Sequence, residues 1–109
     1  MDSRQQRVAK NEALFREVNE RIKEVNEPTP AQEPSDFLCE CGSDDCTDPI
    51  ALTLAEYEAV RKDPTHFAVV RGHVVPDVEH VVAEHDRYSV VEKASPAAAR
   101  IAIERDPRS

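Results

Sequence analysis

The chain has 109 residues, of which 39% are hydrophobic, 33% charged and 5% aromatic, with a net charge of -8. This length holds one domain with a modest core, and two glycines without tryptophan argue against a turn-rich β-sandwich or barrel. Residues 28–63 hold nine acids and two bases, so direct nucleic-acid binding, which needs a basic face, is not expected.

Residues 1–27 form the first predicted unit, an amphipathic helix. Val8, Phe15, Val18, Ile22 and Val25 fall on a seven-residue repeat, with Asn11 at the remaining seam position and Leu14 beside it. Glu12 with Arg16 and Glu17 with Arg21 are i,i+4 pairs in the favourable order, each worth ~0.2–0.5 kcal/mol. A lone helix of this length is marginal in water, so it packs on its own domain, on a second copy or on a protein partner. Pro28, Pro30 and Pro34 make residues 28–36 an extended linker, and the helix is expected to be tethered to the next unit rather than fused with it.

Residues 37–93 are expected to be the compact module. Residues 37–41 read as a strand and 42–49 as a loop. Thr53 and Glu56 form a capping box that opens a short helix with Leu54, Tyr57 and Val60 on its apolar face, ended by Asp63-Pro64. Residues 67–70 read as a strand with Gly72 as the turn point. Residues 76–83 fit either a two-turn helix or a valine-rich strand, and β-branched residues favour a hairpin with the strand at 87–93. The tail, 94–109, starts a short, frayed helix at Ser95-Pro96. The fold class expected is α+β: a long N-terminal helix, a Pro-rich linker and a small zinc-stapled antiparallel sheet with one short helix. No internal repeat is visible.

The sharpest motif is Cys39-x-Cys41-x4-Cys46. On a strand, residues two apart share a face, so Cys39 and Cys41 present both sulfurs to one ion, and Gly42 lets the chain return Cys46 to the same point. Tetrahedral zinc takes four ligands, with Cys3His among the usual structural sets. His73, freely aimed after Gly72, is the first choice for the fourth ligand and His66 the second. His80 and His85 are expected to face solvent. Glu40 points to the opposite face, and the acids Glu40, Asp44, Asp45 and Asp48 oppose thiolate formation unless a metal binds the sulfur.

No His-Glu-x-x-His, Gly-x-Ser-x-Gly, phosphate-loop or dinucleotide signature occurs, so an enzyme is not expected. The function expected is a non-catalytic zinc-binding regulatory or adaptor module acting through protein–protein contacts of the N-terminal helix. A thiol-based redox switch that releases zinc is the alternative, and a small zinc enzyme a weaker one. No segment approaches a membrane span and the first residues lack an apolar signal core, so a cytoplasmic chain without membrane contact is expected. Three cysteines in that setting favour metal or redox chemistry over a disulfide framework.

Residues 11–20, the 37–46 cluster, residues 52–57, Gly72-His73 and residues 88–93 together resemble a family of small uncharacterised actinobacterial proteins. The ten arginines against four lysines fit a high-GC genome of that type. The resemblance implies Cys39, Cys41, Cys46 and His73 as the site and favours His73 over His66. It departs at Arg71, where the family often has proline, which bears on the stiffness of the loop. It implies no activity.

Overall fold

A computed structural model describes residues 3–30, 32–43 and 45–108. Asp44 of the acidic loop, Ala31 of the expected linker and the extreme ends of the first and last segments lie outside the described residues. The order of elements is α1 (Ser3–Asn26), β1 (Ser35–Leu38), β2 (Pro49–Leu52), α2 (Leu54–Arg61), β3 (His66–Val69), β4 (Glu79–Glu84), β5 (Ser89–Lys93) and α3 (Pro96–Glu104). The class is α+β, as the patterns predict.

The strands form two antiparallel sheets. One is β1–β2, in which Phe37 pairs Ile50 and Leu38 pairs Pro49; the other has the order β3-β5-β4. Of the segment at 76–83, residues 76–78 are a turn and 79–83 belong to β4, which pairs β5 as a hairpin with an irregularity between Val81 and Ala83. β2 is absent from the sequence reading, and β1 starts two residues inside the expected linker. Between the sheets and α2 the core is closed by Phe37, Leu52, Tyr57, Phe67, Val69 and Val91, with Phe37 stacked on Tyr57 at 4.6 Å between ring centroids. Thr53 caps α2 reciprocally with Glu56: Glu56 N–H donates to Thr53 Oγ1 (3.1 Å) and Thr53 N–H to Glu56 Oε1 (2.8 Å).

The largest departure concerns α1. It is not a tethered unit: it packs against β1 and α3. It buries the expected stripe only in part: Val8, Phe15 and Ile22 are half-buried, whereas Val18 and Val25, with Leu14 beside the stripe, are exposed at 37%, 79% and 54%. The buried face is Ala9, Glu12, Ala13, Arg16, Asn19 and Glu20. The reason is that each polar side chain on this face has a defined partner, which offsets part of the penalty of burying it, although Glu12 Oε2 and Arg16 Nε are left without a hydrogen bond. Asn19 pairs with Leu38 as a neighbouring strand would, accepting from Leu38 N–H (2.8 Å) and donating to Leu38 C=O (2.9 Å). Arg16 donates to the carbonyls of Pro64 and Ala102, both at 2.6 Å, with its guanidinium 4.5 Å from the Phe67 ring centre. Tyr57 Oη donates to Glu20 (2.8 Å), which also binds Arg108. Lys93 Nζ stands between Glu12 and Glu79.

α3 is also better held than a frayed tail. Ser95 caps it through Ala98 N–H (3.1 Å), Pro96 sits in its first turn, and Ala98 and Ala102 are buried. Small side chains on that face allow α1 and α3 to approach closely.

Candidate metal centre

Three short segments build the site. The first leaves β1 at Leu38, so Cys39 and Cys41 lie just past the strand and not within it. Residues 35–38 pair with β2 and not with β3. Glu40 N–H donates to Ala68 C=O at 2.8 Å and places the Cys39–Cys41 segment against β3. Cys39 N–H donates to Asp48 C=O (2.9 Å), which draws the loop back over the cysteines.

Glu40 does alternate away from its two neighbours, but into the interior and not into solvent. It is fully buried, accepting from Asn19 Nδ2 (2.8 Å) and from Ala68 N–H (2.9 Å). Burial pushes its carboxyl above the usual range, against those hydrogen bonds and the nearby Arg16 and Arg61.

The second segment is the turn at Gly42. Its φ of +80° is the left-handed region that favours glycine. A Cβ here would meet Val8 O at 2.7 Å and Glu12 Cγ at 2.8 Å, because α1 lies directly against the turn. Asn11 Nδ2 donates to Gly42 C=O (3.1 Å). Cys46 N–H then bonds Ser43 C=O (3.2 Å) and returns the third thiol to the cluster. The third segment is the turn after β3, closed by His73 N–H to Val70 C=O at 2.9 Å, with Gly72 at φ +90°.

These turns bring Cys39, Cys41, Cys46 and His73 together, with all four candidate ligand atoms within 4.8 Å of one another. His73 Nδ1 lies 3.6 Å from Cys39 Sγ and 3.7 Å from Cys46 Sγ. A tetrahedron with Zn–S of ~2.3 Å and Zn–N of ~2.0–2.1 Å has S···N edges of about 3.6 Å, so the spacing fits one ion at the centre. Cys39 and Cys41 are buried; Cys46 and His73 are half-buried and line a groove of about 410 Å³. His66 is not at this centre. It stands at the other end of β3, and His80 and His85 are exposed.

In the metal-free cluster the electrostatics favour one thiolate, Cys41, and oppose the other two. Cys41 is held below the usual thiol range, first by the hydrogen bond from Cys39 and further by backbone donation from Ser43 and by His73, against its burial. Cys39 is pushed up because it keeps the shared proton and is buried, although Val70 N–H donates to its sulfur at 3.1 Å. Burial raises Cys46, while a backbone bond at Asp48 opposes it. Backbone donors to metal-bound sulfur are the outer-shell partners that orient such ligands. The acids that the sequence set against thiolate formation are thus turned away (Glu40) or exposed (Asp45 and Asp48).

Sequence reasoning missed the supports of the site, Asn19 and Glu40 above all. Asn11 at an apolar seam position was the visible signal that α1 has a polar contact to make. The tight fit at Gly42 gives a direct expectation. Gly72→Ala, facing open space, should cost only left-handed strain of about 1–2 kcal/mol, whereas Gly42→Ala adds a backbone clash and should cost clearly more and weaken metal retention. Urea unfolding of the two metal-loaded variants compares them; equal losses would mean that α1 does not press on the turn.

No protein-family model, curated protein or solved structure matches the chain.

Proposed function

We propose that the chain is a non-catalytic zinc-binding adaptor module. Zinc held by Cys39, Cys41, Cys46 and His73 fixes the scaffold, and the outer face of α1 offers it to a protein partner or a second copy. The observation that carries this reading is the four-donor cluster, in which two S···N distances match a tetrahedral edge. Three thiolates and an imidazole fill the coordination sphere of zinc, which leaves no position for water or substrate. The same four residues are those the actinobacterial resemblance implies. Thiolate-rich sets select zinc over magnesium, calcium or manganese.

The adaptor role rests on α1. Its inner face is committed to the core through polar pairs, while Leu14, Val18 and Val25 remain exposed along the other side. Native mass spectrometry before and after chelation tests both parts. One zinc per chain is the expected result, and a metal-free chain would overturn the zinc reading. A Leu14→Glu/Val18→Glu variant should keep its zinc while losing self-association or partner capture; unchanged assembly in that variant would end the adaptor reading.

A further inference from the structure

His66 opens β3 at the end away from His73. Its register partner on β5 is Glu92, and Glu92 in turn faces His80 on β4. The three side chains form a row across the sheet. His66 Nε2 is 2.8 Å from Glu92 Oε2, and His80 Nε2 is 3.4 Å from Glu92 Oε1. Asp63 reaches the row from the α2–β3 loop, its Oδ2 3.4 Å from the same His66 Nε2. The other oxygen, Asp63 Oδ1, accepts from Thr65 N–H (2.9 Å) and Thr65 Oγ1 (2.7 Å), which fixes the direction of the carboxylate.

One ring nitrogen therefore faces two carboxylate oxygens, with all three atoms within 4.8 Å of one another. A single N–H serves one of those oxygens well, while a cation at the same point serves both. Octahedral or tetrahedral bonds of ~2.0–2.2 Å to nitrogen and oxygen have edges of roughly 2.8–3.6 Å, a range that holds both distances from His66 Nε2, 2.8 Å to Glu92 and 3.4 Å to Asp63. The geometry points to a second metal site at Asp63, His66 and Glu92, taking a divalent transition-metal ion such as zinc through His66 Nε2 and one oxygen of each carboxylate. Water completes the coordination, and His80 stands beside it. Without thiolate the site holds its ion more weakly than the cysteine centre. The side chains are 44%, 23% and 35% exposed for Asp63, His66 and Glu92, so an ion enters without opening the fold.

The test titrates the zinc-loaded protein with further zinc, followed by calorimetry and by the imidazole nitrogen resonances. A second, weaker equivalent is expected, removable by a mild chelator and accompanied by a shift of His66 Nε2. His66→Asn and Glu92→Gln should each weaken it by about tenfold or more while leaving the tight equivalent and the far-ultraviolet circular dichroism unchanged. Asp63→Asn, on the loop, gives the same reading should a strand variant lose its dichroism. Saturation at one equivalent up to millimolar zinc, or a second equivalent that none of the substitutions weakens, overturns the proposal. A protein without the tight equivalent but with the His66-dependent one would sink the cysteine centre and leave this site standing.

Discussion

Removing zinc is expected to unfold most of the chain. The ion would join the end of β1 through Cys39, the Gly42 turn through Cys41 and Cys46, and the turn after β3 through His73, three segments otherwise linked by a few hydrogen bonds. Structural zinc supplies an apparent ~10–16 kcal/mol in small metal-dependent domains, more than the whole stability of many chains of this size. Cys46→Ser is the cleanest probe. Its side chain is only half-buried, so little packing is lost beyond the metal bond. Cys39→Ser also removes a sulfur from the core and should cost more. Both variants should lose stoichiometric zinc and show a melting transition well below that of the parent, as should the parent after chelation. Acid should act in the same direction, because protons compete with zinc for thiolate and imidazole. Calorimetric scans with and without chelator check all of this, and a Cys46→Ser protein that kept its zinc and its transition would refute it.

Replacing Lys93 is expected to be the most damaging change outside the metal centre. Its ammonium sits 2.6 Å from Glu79 Oε1 and also contacts Glu12, and all three side chains are essentially buried. Glu79 is anchored further by Val75 N–H, which donates to its Oε2 (3.2 Å). Burial pushes Glu12 well above the usual carboxylate range, partly offset by Lys93. Burial thus favours the protonated form of Glu12 in the folded chain. Lys93→Met removes the cation and strands the acids, at a cost of about 3–5 kcal/mol. Adding Glu12→Gln should recover part of that loss, and a double-mutant cycle in urea reads the coupling. The pH dependence has a defined sign. Folded Glu12 binds a proton that the unfolded chain releases near pH 4.5, so this group favours the folded state increasingly as pH falls from neutrality toward that value. A Lys93→Met protein as stable as the parent would show that the triad contributes nothing.

The parts of the molecule legible in the sequence are those decided by local chemistry. The capping box at Thr53 and Glu56 fixes the start of α2, and the β-branched run at 89–93 is a strand. Two-residue spacing with a following glycine also places the cysteines together whether or not they lie in a strand. β2 escaped notice because Pro49 opens it and half of its partner, β1, falls in the segment that reads as linker. The inner face of α1 was invisible for a different reason. A heptad count scores Glu12, Arg16 and Asn19 as solvent-facing, and only the tertiary partners Lys93, Pro64, Ala102 and Leu38 make their burial favourable. Those partners lie 19 to 86 residues away in sequence, beyond any periodic signal.

Glu40 has a consequence that is mechanical. Its two flanking residues face the cysteine centre while its own carboxylate holds Asn19 of α1, and two residues further on Gly42 is held by Asn11. The helix and the cysteine loop are therefore joined at two points two turns apart on α1. A force applied to the exposed side of that helix has its shortest load path through Asn19 and Asn11 into the loop that carries three of the four ligands. On the proposed reading, a partner gripping α1 would pull on the anchorage of the ion, and tightening that anchorage would stiffen the handle the partner holds.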